Sequence, residues 1–163
     1  MINKAFLLVV VAVLTSLFIT SCEEVRDPCL EPTTVALVFG TYLPADTGSA
    51  GKKYELPKAV MGWVDTPSVY YNGVKASSFP IRLSSIADSS RWYIWPDSAA
   101  TTGIDTVTFF YERKPRFLST ACGYIFTYSL KNVTSTNYNI DSIKITNTEV
   151  NTDANIEHVK IFF

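Results

Sequence analysis

The chain has 163 residues, 47% of them hydrophobic and 13% aromatic, and its formal net charge at pH 7 is −1. This length predicts a single domain that can bury a sizeable core without structural metals. A nearly neutral chain with no cluster of basic residues does not fit the pattern of nucleic-acid-binding proteins, so we expect no nucleic-acid partner.

The first 21 residues have the pattern of a secretory signal peptide. A short start containing Lys4 is followed by an apolar run over residues 5–20 and then by small residues. The run is shorter than the roughly 20 residues that a membrane-spanning helix needs. We therefore expect residues 1–21 to be removed on export, with an uncleaved anchor helix as the alternative.

The end of this segment resembles a lipobox, the cleavage and lipidation signal of bacterial lipoproteins. Ile19 lies three residues before Cys22, and the small residue Ser21 directly precedes it. Lipidation of the Cys22 thiol would anchor residues 33–163 to a membrane through a tether of residues 22–32. The alternative is an ordinary signal peptide with an unrelated cysteine.

Acidic residues dominate the start of this tether. Residues 23–27 read Glu-Glu-Val-Arg-Asp, which resembles the surface-export signal of Bacteroidetes lipoproteins. They can equally be a solvated spacer. We expect a lipid-anchored protein of the outer membrane and leave its periplasmic face and the cell surface as alternatives.

Two further cysteines, Cys29 and Cys122, form an even pair in a chain predicted to enter an oxidising compartment. We expect a disulfide between them, and unpaired buried thiols or one reactive thiol are the alternatives. Such a bond would constrain the unfolded chain by roughly 4–5 kcal/mol in the chain-entropy model.

Alternating apolar and polar residues predict β-strands throughout the domain. Proline and glycine clusters separate these strands, and the dipeptide Asn72-Gly73 is the strongest hairpin signal because both residues tolerate positive φ. No stretch of about 11 residues has a clear helical stripe. We therefore predict an all-β fold, a single antiparallel β-sandwich or small barrel of about eight or nine strands. The expected strands span residues 33–43, 59–65, 68–71, 80–84, 91–95, 106–112, 124–130, 142–146 and 159–163.

Several strands have one clearly apolar face. Tyr124, Phe126, Tyr128 and Leu130 are predicted to share a buried face, because side chains two apart point the same way. In the last strand, Val159, Ile161 and Phe163 are predicted to be buried, and His158 and Lys160 to face solvent.

The tryptophans are the best candidates for ligand contact, namely Trp63, Trp92 and Trp95. Trp92 and Trp95 are three residues apart, so they face opposite sides of a regular strand. An exposed tryptophan could stack on a sugar ring or fill a pocket on a partner. The alternative is that all are covered by loops or by the second sheet.

Catalytic and metal-binding signals are sparse. His158 is the only histidine and is expected at the surface, so we predict no catalytic residue, no cofactor and no metal site. Oxygen ligands near the C-terminus could hold calcium, but Asn and Asp also favour turns. These ligands are Asn147, Asn151, Asp153, Asn155 and Glu157.

Three short segments resemble the O-glycosylation acceptor of exported Bacteroidetes proteins, an Asp followed by Ser or Thr and an apolar residue. The acceptor positions would be Ser98, Thr106 and Ser142. β-Proteins also produce this loose pattern by chance.

Four segments together resemble a family of short Bacteroidetes lipoproteins of unknown function. They are DPCLEPTTV from Asp27, FLSTACGY from Phe117, NIDSI from Asn139 and NIEHVKIFF from Asn155. The resemblance implies a lipid anchor and an envelope location, and no activity.

The leading functional hypothesis is a non-enzymatic accessory lipoprotein that binds a protein partner in the cell envelope. A glycan-binding module that uses exposed aromatics is the alternative, and an envelope hydrolase comes third. An open strand edge or a broad apolar patch would favour the first. A surface tryptophan beside Asp or Asn in a groove would favour the second.

Overall fold

The computed structural model describes residues 28–44, 51–66, 68–101 and 103–163. The signal peptide, Cys22 and most of the tether lie outside these residues. No helix in the described ranges is long and apolar enough to cross a membrane. Every named element is a strand, and there are eleven of them. They are β1 (Leu37–Leu43), β2 (Lys52–Lys53), β3 (Leu56–Trp63), β4 (Val69–Ala76), β5 (Ser78–Ile81), β6 (Ser89–Trp95), β7 (Asp105–Ser119), β8 (Gly123–Ser135), β9 (Ser142–Ile145), β10 (Glu149–Val150) and β11 (Val159–Phe162).

The strands form two open sheets, so the sandwich prediction is confirmed. One sheet has the order β2-β1-β11-β9, with β5 also paired to β1, and the other has the order β10-β8-β7-β6-β3-β4. The predicted eight or nine strands become eleven, partly because β2 and β10 have two residues each. Apolar side chains of both sheets meet in one core, which includes Phe39, Met61, Trp92 and Ile161.

One pair of strands departs from the antiparallel prediction. β1 pairs with β11 in parallel, from Phe39 opposite Val159 to Tyr42 opposite Phe162. Strands at distant positions in the chain can pair in either direction, because no tight hairpin dictates their orientation. β1 is buried on both faces. Its pairing with β11 therefore brings an early and a late strand of the described chain together inside the fold.

The hairpin prediction at Asn72-Gly73 is wrong. Both residues lie inside β4, where Ala59 pairs with Val74 and Val60 pairs with Asn72, which leaves Gly73 as one extra residue. Gly73 has φ of +66°. A glycine with positive φ serves a β-bulge as well as a turn, so the local signal was correct about the backbone and wrong about the topology.

The surface position predicted for His158 is also wrong, since its side chain is fully buried. His158 immediately precedes β11 and forms two hydrogen bonds with Val38 of β1, one as donor and one as acceptor. Its amide donates to the Val38 carbonyl at 2.8 Å, and the Val38 amide donates to its Nδ1 at 3.0 Å. Because Nδ1 accepts this bond, the neutral ring carries its proton on Nε2.

β7 and β8 form a long hairpin that extends past the rest of its sheet. β6 pairs with β7 only as far as Phe110, whereas β7 and β8 remain paired as far as Ser119 and Gly123. We call residues 113–127 the arm. Tyr124 shares the face of the buried Tyr128 but is 72% exposed, because the arm carries it beyond the core.

The C-terminal strand is part of the core, as expected, with Val159 and Ile161 fully buried. Phe163, also predicted to be buried, is half-buried and packs against the core. Burial of such side chains contributes about 1.5–3 kcal/mol each, against a typical domain stability of about 5–15 kcal/mol. We predict that deletion of residues 159–163 unfolds the domain, because it removes the partner of both β1 and β9.

A point variant gives a graded form of this test. Ile161→Ala should lower the free energy of unfolding by about 2–5 kcal/mol in urea denaturation. Lys144→Ala, at an exposed position of the neighbouring β9, is the control and should change it by less than about 0.5 kcal/mol. An unchanged midpoint for the truncated domain would show that β11 is dispensable.

His158 makes the stability depend on pH. Burial lowers the pKa of this imidazole, and contacts with the backbone of Glu149 and Val38 and with the Asp153 carboxylate oppose the shift less strongly. His158 therefore binds a proton more readily in the unfolded chain than in the folded one. The buried neutral ring contributes fully to stability above about pH 6.5, and this contribution declines below that pH. We predict a melting temperature that falls between pH 7 and pH 5.

The control for this pH dependence is His158→Asn, whose side-chain oxygen can still accept from Val38 but does not titrate. This variant should be less stable overall and should show a flat profile in the same range. The carboxyl groups of Glu112 and Glu149, whose pKa values are lowered by bonds to Lys131 and Ser129 respectively, titrate below this range. If the melting temperature falls equally steeply with pH in the unsubstituted protein and in His158→Asn, His158 is not the cause of the pH dependence.

Candidate functional site

The connection between β5 and β6, residues 82–88, lies among four surface grooves at one end of the sandwich. Its residues contribute to the lining of each groove. Arg82 lines two of them, so these two grooves adjoin. We call residues 82–88 the central loop.

Buried hydroxyl groups hold the start of this loop in place. The Tyr111 hydroxyl accepts from the Ser84 amide at 2.9 Å and lies 2.7 Å from the Ser90 hydroxyl. Burial raises the pKa of Tyr111, although its bonds to Ser90 and Ser84 oppose the shift. The Ser84 hydroxyl in turn accepts from the amides of Ile86 and Ala87, which folds the loop into a compact turn.

Side chains of the long hairpin fix the remainder of the central loop. Arg113 donates to the Ser85 carbonyl at 2.9 Å and to the Asp88 carboxylate at 2.7 Å. The Tyr128 hydroxyl donates to the Leu83 carbonyl at 3.4 Å. The grooves on either side of the loop are therefore bounded by a rigid element.

The largest of these four grooves, which we call the arm groove, has a volume of about 570 Å³. The chain segment that leads into β1 forms one wall, through residues 33–35, and β8 forms the other. β8 contributes Tyr124, Phe126 and Tyr128, and the central loop contributes Arg82. The arm groove thus combines aromatic rings with an exposed cation.

The backbone of β8 is free along this groove. The Leu130 amide donates away from β7, to Thr148, and backbone direction alternates along a strand. The amides and carbonyls of Tyr124 and Phe126 therefore also point away from β7. β10 covers this edge only at Tyr128 and Ser129, so no described strand pairs with it at 124 and 126.

The opposite edge of the arm is blocked. Pro115 lies opposite Phe126, at a position whose backbone groups point outward, and proline has no N–H to donate. Proline at such a position is a common protection against unwanted strand pairing. One edge of the arm is therefore protected, whereas the edge along the arm groove remains available.

Trp63 lines two smaller grooves on the other side of the central loop, with volumes of about 270 and 260 Å³. Its ring packs edge-on against Trp92 at a centroid distance of 6.0 Å. Asp65 and Arg91, which form an ion pair, line one of these grooves, and Tyr70 lines the other.

The three predicted tryptophans therefore have different surroundings. Trp92 is 1% exposed and belongs to the core, so it is not available to a ligand. Trp95 lies on the other face of β6 and is half-buried. Of the three, Trp63 lines two of the four grooves around the central loop.

The predicted disulfide is present at the tip of the arm. Cys29 bonds to Cys122 with the Cα atoms 4.8 Å apart. Cys122 lies in the turn between β7 and β8. Beside it, Phe117 and Tyr124 form an exposed aromatic pair with centroids 5.0 Å apart. The bond fixes the predicted tether to the arm.

The three predicted glycosylation positions differ in exposure, and their modification remains a prediction. Ser142 is exposed at the start of the edge strand β9. Thr106 is half-buried between β6 and β8, and Ser98 is half-buried in a turn. The acidic residue before Thr106 has a structural role, since the buried Asp105 carboxylate accepts from Tyr138 and Asn139.

The oxygen-rich C-terminal segment forms turns. Asn147, Asn151 and Asp153 each accept a bond from the amide two residues ahead. Glu157 accepts from the Tyr42 hydroxyl at 2.8 Å. Within the described ranges, no group of three His, Cys, Asp or Glu side chains could hold a metal ion.

The sequence predicted the disulfide, but it gave three tryptophans equal weight as ligand contacts and did not indicate the arm groove. A sequence signal did exist, because Pro115 interrupts a strand pattern and therefore marks an edge. The matching free edge on β8 has no signal of its own, since any residue can supply a backbone amide.

A family model described as a family of unknown function, DUF6452, matches residues 59–163. This range includes β4 to β11, the central loop and the whole arm. No curated protein and no solved structure matches the chain. Because the match covers more than half of the sequence, the chain belongs to the DUF6452 family.

Proposed function

We propose that this protein is a non-enzymatic, lipid-anchored protein of the outer membrane that binds an extended segment of a protein partner along the free edge of β8. The single observation that carries the proposal is the outward-facing backbone of Tyr124 and Phe126 beside the arm groove. An added strand would bond to these amides and carbonyls.

The walls of the arm groove supply contacts for the side chains of such a segment. Side chains of an added strand alternate between the two faces, so every second one would meet Phe126 and Tyr128. Arg82 is exposed at the groove and would favour an acidic residue on the partner. The backbone contacts would give affinity, and these side chains would give specificity.

We predict that a photoreactive amino acid at Thr34, an exposed position lining the arm groove, crosslinks in cells to one envelope protein. The variant Phe126→Pro should abolish the product, because it removes an outward N–H without breaking the ladder to β7. Phe126→Leu retains that N–H and should retain the product. Thermal melting of both variants confirms that they are folded.

The matched control position is Thr134, an exposed threonine at the far end of β8. Equal products at the two positions, or a product that survives Phe126→Pro, would contradict binding along this edge. Cys22→Ala tests the lipid anchor separately. It should abolish incorporation of labelled acyl chains, and normal labelling would end that part of the proposal.

A second candidate function, glycan binding, rests on the groove that places Trp63 beside Asp65 and Thr66. An aromatic ring flanked by a carboxylate and hydroxyl groups suits the apolar face and the hydroxyls of a sugar. This arrangement supports glycan binding at a different site from the proposed strand addition.

If this second function operates, Trp63→Ala should lower affinity for hexose or hexosamine oligosaccharides about tenfold, or roughly 1.4 kcal/mol. Isothermal titration calorimetry would measure it. Trp95→Ala, on the opposite face of the sheet, is the control and should bind normally. Equal affinity for both variants would exclude the groove at Trp63.

A further inference from the structure

The arm tip carries exposed apolar side chains on two covalently linked segments. Phe117 and Tyr124 are 51% and 72% exposed, and Leu30, next to the disulfide, is 89% exposed. Single exposed apolar residues are common, but here Cys29 and Cys122 hold them at one end of the molecule. We use arm tip for Leu30, Phe117, Tyr124 and this disulfide.

The predicted anchor is close to the arm tip along the chain. Seven Cα–Cα steps separate Cys22 from Cys29, and a fully extended chain spans at most about 3.6 Å per residue. The disulfide therefore keeps the arm tip within about 25 Å of the lipidated residue. Without the bond, the tip would be connected to the anchor only through the whole β domain.

Exposed charged side chains of both signs lie beside the arm tip, since Glu31 follows Leu30 and Arg116 precedes Phe117. Arg116 is exposed and makes no ion pair with another residue of the described chain. Lys114 lies two residues further along the arm, where it pairs with Glu149. Aromatic rings and long basic side chains are the residues that settle at a membrane–water interface.

We propose that the arm tip rests on the lipid headgroups of the membrane that holds the anchor, with Leu30, Phe117 and Tyr124 in contact with the interface. This inference depends on the lipid anchor of the proposed function. The acyl chains would supply the attachment, and the arm tip would fix the orientation of the domain.

Such an orientation has a direct consequence for the arm groove. Tyr124 belongs to both the arm tip and the groove wall. The free edge of β8 would then open immediately above the headgroups. Its occupant would be a segment close to the membrane surface, as in the loop of a membrane-embedded protein.

The test uses the mature lipidated protein in vesicles of phosphatidylethanolamine and phosphatidylglycerol with brominated acyl chains, which quench nearby tryptophan. Tyr124→Trp places a reporter at the arm tip. Tyr138→Trp is the matched control, because Tyr138 is 75% exposed and its amide bonds to Asp105 at the opposite end of the hairpin. Tyr124 and the end of β8 at Ser135 are about 36 Å apart along the strand, and Tyr138 lies beyond that end.

We expect the added fluorescence of Tyr124→Trp to be largely lost and that of Tyr138→Trp to be retained. Adding Leu30→Ser and Phe117→Ser to the Tyr124→Trp protein should restore most of its signal. Equal quenching at the two positions would overturn the inference, as would quenching that survives these serine substitutions. A tip that docks on a protein would leave both reporters unquenched in these protein-free vesicles and would also overturn it.

Flotation of the same vesicles tests the lipid anchor independently of the contact between the arm tip and the headgroups. Protein that floats without selective quenching at the arm tip retains the anchor and contradicts the headgroup contact. Protein that does not float contradicts the anchor, and with it the inference.

Discussion

The pairing of β1 with β11 is the interaction on which the rest of the sandwich depends. β1 also bonds to β2 and β5, and β11 also bonds to β9, so this contact connects the whole smaller sheet. The two bonds between Val38 and His158 lie at the start of the pairing. Because the His158 ring is buried and neutral, the sheet contains a titratable group that favours folding only while it is uncharged.

The long hairpin of β7 and β8 in the larger sheet forms most of the candidate site. Residues near the base of the arm bond to the central loop, whereas residues near its tip lie beyond the core. The same two strands therefore anchor a rigid loop and expose a free edge. Tyr111 and Tyr128 are buried, with their hydroxyl groups bonded to the loop. Tyr124 is exposed because the arm carries it beyond the core.

The disulfide links this arrangement to the predicted tether. It joins the segment before β1 to the turn of the arm, so the predicted tether leaves the domain at the same end as the arm groove. A protein anchored in this way would present its free strand edge toward the membrane.

The sequence by itself determined the all-β class, the approximate positions of most strands and the disulfide partners. Apolar and polar residues alternate within a single strand, and cysteines can be counted directly. Neither signal depends on which strand lies alongside. Gly73 shows the limit of such signals, because positive φ suits a turn and a bulge equally. Tertiary structure alone decided the parallel pairing of β1, the burial of His158 and the exposure of Tyr124. Each of these depends on which strand lies alongside and how far it extends, and that is set by contacts between residues far apart in the chain.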